Sequence, residues 1–87
     1  MEMRERVRAG QIAMTIHAIE EMHADGLIME DLIQAILTGM IVARQYDKEF
    51  DEYKYIIEGM TLAPGEMIQV VAKPGRKNTV VITMYRI

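Results

Sequence analysis

Glu30-Asp31-Leu32-Ile33-Gln34-Ala35-Ile36-Leu37-Thr38-Gly39-Met40-Ile41-Val42-Ala43-Arg44-Gln45-Tyr46 carries the change of period that decides the fold. Up to Thr38 the apolar residues Leu32, Ile33, Ile36 and Leu37 recur at the three-and-four spacing of one helix face. Glu30 and Asp31 stand in the first turn, where the helix dipole favours negative charge. Gly39 is the expected stop. Met29 occupies a position where a capping Ser or Asp would serve better, so the helix start reads as weak. Beyond Gly39 the period is two, and Met40 to Tyr46 reads as a strand.

Working toward the N-terminus, Thr15 reads as the N-cap of a helix from Ile16 to Ala24, ended by Asp25-Gly26. Ile16, Ile19 and Met22 or His23 are its expected buried stripe. Residues 2–9 favour a short helix stopped by Gly10, with its arginines on a solvated face. Residues 11–14 read as a connection. Toward the C-terminus, further strands are expected at Tyr53 to Gly59, Met67 to Lys73 and Thr79 to Arg86. They are separated by the acidic loop 47–52, the turn Ala63-Pro64-Gly65-Glu66 and the hairpin loop Pro74-Gly75-Arg76-Lys77-Asn78. Connections this short imply an antiparallel meander. The expected fold is α+β in two layers: N-terminal helices on one face of a four-stranded, mainly antiparallel sheet, in a single domain.

Alternation assigns the two faces of that sheet. Val80, Ile82 and Met84, with Ile68, Val70 and Ala72, are expected to face the helices. Thr79, Val81, Thr83 and Tyr85, with Gln69, Val71 and Lys73, are expected on the open face. Lys54, Ile56 and Glu58 join the open face, and Arg44 fits either side. The open face then reads as a locally basic patch.

The totals bound the rest. Eighty-seven residues build one domain that hides roughly 60–65% of its unfolded surface, so the core is thin. The nine methionines are gap fillers for such a core or an adaptable docking surface. The absence of cysteine excludes a disulfide framework and fits a reducing cytoplasm. The charged start lacks the apolar run of a secretory signal, and no stretch reaches the roughly 18 apolar residues of a membrane span. A net charge of −3 argues against a whole-protein field for nucleic acid.

Two residues carry most of the chemistry. His17 can act as acid or base, as an imidazole side chain does near neutral pH. Tyr85, on the last strand, can donate a hydrogen bond or a proton. Metal-independent RNA cleavage requires a base, an acid and cations around a pentavalent phosphate. Thr83 can contact phosphate, and Lys73, Arg86 or Arg44 can steady its charge. The plainer reading has His17 bonding a backbone carbonyl or Glu21, and Tyr85 finishing the core. No metal is expected. His17 and Glu21 share a helix face, but His23 lies roughly 240° around from His17, and no HExxH or cysteine pattern is present. No cofactor is expected, and the Pro74–Asn78 loop reads as a plain hairpin.

Thr15-Ile16-His17-Ala18, Met22, Gly26-Leu27-Ile28, Glu30-Asp31-Leu32, Gly39, Tyr46 and Ile82-Thr83-Met84-Tyr85, in that order and spacing, resemble a small bacterial family known as domain of unknown function 4258. The resemblance implies a fold similar to the RelE-like toxins, within the wider barnase-, EndoU- and colicin-like ribonucleases. It implies RNA as substrate and a cognate antitoxin or a second copy as partner. The chain departs from the family pattern at Glu21 and Asp25, where arginine is usual, and at Met29, where Ser or Thr is usual. The resemblance therefore points to a cytoplasmic toxin-type ribonuclease or a degenerate relative of one. The alternative is a non-catalytic interaction module using the open sheet face or an edge strand.

Overall fold

Helix-forming residues precede strand-forming ones along the chain, and the computed structural model, which describes residues 2–87, keeps that division. The elements are α1 (Glu2–Arg8), β1 (Ile12–Met14), α2 (Ile16–Ala24), α3 (Met29–Thr38), β2 (Met40–Asp47), β3 (Glu52–Met60), β4 (Met67–Pro74) and β5 (Thr79–Arg86). The class is α+β, as expected. The sheet, however, has five strands in the order β1-β5-β4-β3-β2, and it is mixed. β2 to β5 form the antiparallel meander, while β1 pairs in parallel with β5, Ile12 opposite Thr79 and Met14 opposite Val81. The expected four-stranded sheet missed β1 because three residues are too few to show a period.

Local chemistry sets each helix. α1 and α2 end the same way: Gly10 and Gly26 take positive φ (77° and 66°), and paired amides close back on the last turn. Thr15 caps α2 by accepting from the Ala18 N–H at 3.1 Å, as the sequence indicated. It is also tied to β5: its N–H donates to the Val81 carbonyl and its hydroxyl to the Ile82 carbonyl at 2.8 Å. That double anchor fixes the rotation of α2. The buried side is therefore Ala18 and Met22, and the expected stripe is wrong at Ile16, which is 77% exposed, and at Ile19.

α3 starts at Met29 with Ile28 in the N-cap position and no capping side chain there. Asp31 compensates from inside the helix. One of its carboxylate oxygens accepts the Ile28 N–H and the other accepts the Leu62 N–H, both at 3.0 Å. Asp31 is buried, so it locks the helix start to the β3–β4 loop.

The arginines of α1 are not a solvated face. Arg4 donates to the Ile36 and Gly39 carbonyls and so satisfies the C-terminal end of α3. Arg6 holds the β4–β5 hairpin loop through the Gly75 and Asn78 carbonyls, at 2.7 and 3.2 Å, and pairs with Glu2.

The three helices and the sheet close around one core, including Met3, Val7, Met22, Leu32, Ala35, Ile36, Ile57, Ile68, Val70 and Met84. α3 approaches β3 so closely that a Cβ at Gly59 would sit 2.4 Å from the Ala35 carbonyl oxygen and 2.7 Å from the Ala35 Cα. A Cβ at Gly39 would meet the Ala35 and Glu58 oxygens, both at 2.4 Å. Gly39 has an ordinary φ of −81°, so it is needed for space and not, as the sequence suggested, for a left-handed stop.

The face assignment holds for β4, where Ile68, Val70 and Ala72 are buried, and for the end of β5, where Met84 is buried and Tyr85 exposed. It inverts at the start of β5. Thr79 and Val81 are fully buried, and the Thr79 hydroxyl donates to the Met3 carbonyl at 3.0 Å. The cause is a β-bulge: Val71 pairs with Thr83 and Ala72 with Val81, leaving Ile82 without a partner. One extra residue shifts the alternation, and every side chain before it changes face.

Two stability measurements follow. Gly59→Ala should lower the unfolding free energy by about 1–3 kcal/mol, because the clash is with backbone and no side chain can move aside. Asp31→Ala should lower it by a similar ~1–3 kcal/mol, by leaving two amides without their acceptor. Urea melts of both variants check these values.

Candidate functional site

The open face of the sheet is built by register. Glu58 pairs with Gln69, and Gln69 with Tyr85, so these three side chains form one row across β3, β4 and β5. Ile56, Val71 and Thr83 form the next row. The Tyr85 hydroxyl donates to the Gln69 side-chain oxygen, and the Gln69 amide donates to Glu58 at 2.9 Å. Lys73 lies further along β4 on the same face, ion-paired with Glu52 and 5.8 Å from the Phe50 ring centroid. Lys54 pairs with Asp47 at 3.0 Å. The Lys54 ammonium holds the Asp47 carboxyl below its ordinary value, against a weaker opposing effect of desolvation. The face is therefore polar and internally neutralised, not basic.

The expected site residues separate into groups. Tyr85, Thr83 and Lys73 share the open face. His17 is exposed on α2 with its Nε2 3.3 Å from the Glu21 carboxylate, which matches the plainer reading of this residue. Arg44 pairs with Tyr55, whose ring packs on the core, so Arg44 belongs to the helix-side face, with its guanidinium 4.4 Å from the Tyr53 ring centroid. Arg86 pairs with the buried Ile68 and is bound to Glu66 at 3.1 Å, also away from the Tyr85 row. Asp25 accepts the Arg86 backbone N–H at 3.2 Å. Glu21 and Asp25 thus both have local partners. Among the described residues no group of three or more His, Cys, Asp or Glu side chains is placed to hold a metal ion.

Sequence reasoning missed an aromatic cluster on the helix-side face. Tyr46 and Tyr53 are opposite each other across the β2–β3 pair, with ring centroids 5.2 Å apart and Arg44 over Tyr53. The Tyr46 hydroxyl donates to the carboxylate of Asp51, a residue held at φ 49° in the turn. Ionising Tyr46 would set two negative charges side by side, so its pKa lies above the ordinary tyrosine value. The hydrogen bond to Asp51 is the main cause, with desolvation and the Asp47 charge adding to it. Equal spacing of the two tyrosines from the centre of loop 47–52 is the sequence signal that could have revealed the pair.

A family model described as "Domain of unknown function (DUF4258)" matches residues 14–86. The chain belongs to that family. The DUF4258 match takes in α2, α3 and the whole β2–β5 meander, and α1 lies ahead of it. No curated protein matches this DUF4258 chain, and no solved structure does.

In alkaline ultraviolet titration, Tyr46 should ionise later than an ordinary tyrosine. Asp51→Asn should return it toward the usual range, because the paired negative charge is gone. An unchanged titration in that variant would contradict the assigned cause.

Proposed function

We propose that this protein is a binding module that takes an extended segment of a partner protein as an added strand on the free edge of β2. One observation carries this reading. β2 is the outer strand, and it is exposed from Met40 to Tyr46, including Met40 (71%), Ile41 (40%), Val42 (49%) and Tyr46 (47%). A long apolar edge with unpaired N–H and C=O groups is a template for another strand, and soluble folds normally blunt such edges. The opposite edge, β1, has only three residues. Register along β2 is regular from Ala43 to Asp47, and a bulge at Val42 interrupts it. The docked segment therefore pairs along Ala43–Asp47 and covers the side chains of Ile41 and Val42 at the bulge, where its pairing ends. The neutralised polar groups of the open face favour this reading over catalysis: Lys54 and Lys73 already have carboxylate partners.

A second reading keeps to RNA. It is a RelE-like, cytoplasmic ribonuclease of toxin type, with an antitoxin or a second copy as partner, and with Tyr85, Thr83 and Lys73 acting from the open face. The Tyr85–Gln69–Glu58 hydrogen-bond chain favours it, because such a chain can polarise a phenolic hydroxyl. His17 would have to leave Glu21 to contribute.

Peptides selected from a random display library test the first reading by hydrogen exchange. Binding should protect β2 amides, and Ile41→Lys with Val42→Lys should weaken it at least about tenfold, or ~1.4 kcal/mol. Protection confined to the helices or the open face would overturn it. RNA degradation separates the two readings. The binding module predicts equal, background rates for the wild type, His17→Ala and Tyr85→Phe. Cleavage lost in either variant would favour the ribonuclease.

A further inference from the structure

Among the described residues four of the ten cations are ion-paired, and two of the others stand side by side on one hairpin. Arg6, Lys54, Lys73 and Arg86 each sit in an ion pair. Arg76 and Lys77, exposed at the tip of the β4–β5 hairpin, have no carboxylate partner among the described residues. The same tip borders a shallow hollow of about 610 Å³, wide open to solvent, lined by Gly75, Arg76, Lys77, Asn78 and Val80. That volume falls within the range of small-ligand sites, which is roughly 300–1,000 Å³.

The loop around the hollow is fixed. Arg6 reaches from α1 to hold the Gly75 and Asn78 carbonyls, and the Gly75 N–H closes on the Asn78 carbonyl at 2.8 Å. These contacts turn the loop carbonyls toward Arg6. Among the described residues, the backbone N–H groups of Arg76 and Lys77 have no protein acceptor. Gly75 itself leaves no room for a side chain, since a Cβ there would lie 2.9 Å from a Val80 methyl and 3.0 Å from the Asn78 oxygen. A frame with two free cations, free amide donors and one apolar wall suits an anion attached to a flat or apolar group. With a net charge of −3 the field of the whole protein does not draw an anion, so the attraction at this spot is local.

We infer that the β4–β5 hairpin hollow binds a phosphate-bearing small molecule of about nucleotide size. Arg76 and Lys77 hold the phosphates, and Val80 contacts the attached group. The site is separate from the β2 edge and does not depend on either functional reading above.

Amide NMR at physiological salt tests it, with inorganic pyrophosphate, ATP and a short single-stranded RNA as separate probes. Pyrophosphate and ATP should shift the amides of residues 75–80 saturably. Arg76→Ala with Lys77→Ala should weaken that binding at least about tenfold, while the amide spectrum of the core stays unchanged. Binding of ATP without pyrophosphate would also support the site and would show that the Val80 wall contributes. Three results would overturn it: no saturable shift with either small probe, unchanged binding in the double variant, or binding of RNA alone. The last would assign the hairpin to a nucleic-acid backbone instead.

Discussion

The contact between the Ala35 backbone of α3 and the Gly59 backbone of β3 is the constraint on which the fold rests. It sets the separation of the helix and sheet layers at a backbone-to-backbone distance. Leu32 and Ile36, on either side of Ala35 along the helix, can then reach full burial in a chain too short for a thick core. The two ends of α3 are secured by different residues. Asp31 ties its start to the β3–β4 loop, and Arg4 takes carbonyls near its end. Gly39 lets β2 leave immediately beside β3, so the same close contact also fixes which strand becomes the outer edge.

The sequence made the main elements legible because their signals are local. Thr15 and Gly26 mark the two ends of α2, the 32/33/36/37 spacing marks α3, and the alternation after Gly39 marks the meander. What stayed hidden depends on partners far along the chain. β1 is three residues long and becomes a strand only because β5 lies beside it. The bulge at Ile82 arises from pairing with β4, and no property of Val80, Val81 or Ile82 announces it, so the sidedness of Thr79 and Val81 came out reversed. The α1 arginines looked like a solvated face because their acceptors are backbone carbonyls more than thirty positions away.

The candidate site was legible in its members but not in its arrangement. Tyr85, Thr83 and Lys73 do share a face, as alternation indicates. Arg44 and Arg86 fall on the other side by register, and His17 stands apart with Glu21. The polar chemistry of the open face is mostly spent within the protein, through Tyr85–Gln69–Glu58 and the lysine–carboxylate pairs. Unsatisfied bonding capacity lies elsewhere: in the backbone of β2 and at the tip of the β4–β5 hairpin. Both are places where the chain ends its own pairing, so a partner or ligand can bind there without first breaking a contact.

The parallel pairing of β1 with β5 has a consequence for the order of assembly. The Thr15 hydroxyl finds its acceptor 67 positions later, and Met3 waits 76 positions for Thr79. As the chain leaves the ribosome, the meander up to β4 can begin to pair while α1 and β1 still lack a docking surface. β5, made after the other four strands of this sheet, slots between β1 and β4 and closes it. Loss of β5 would therefore release β1 as well, since the two segments share one seam.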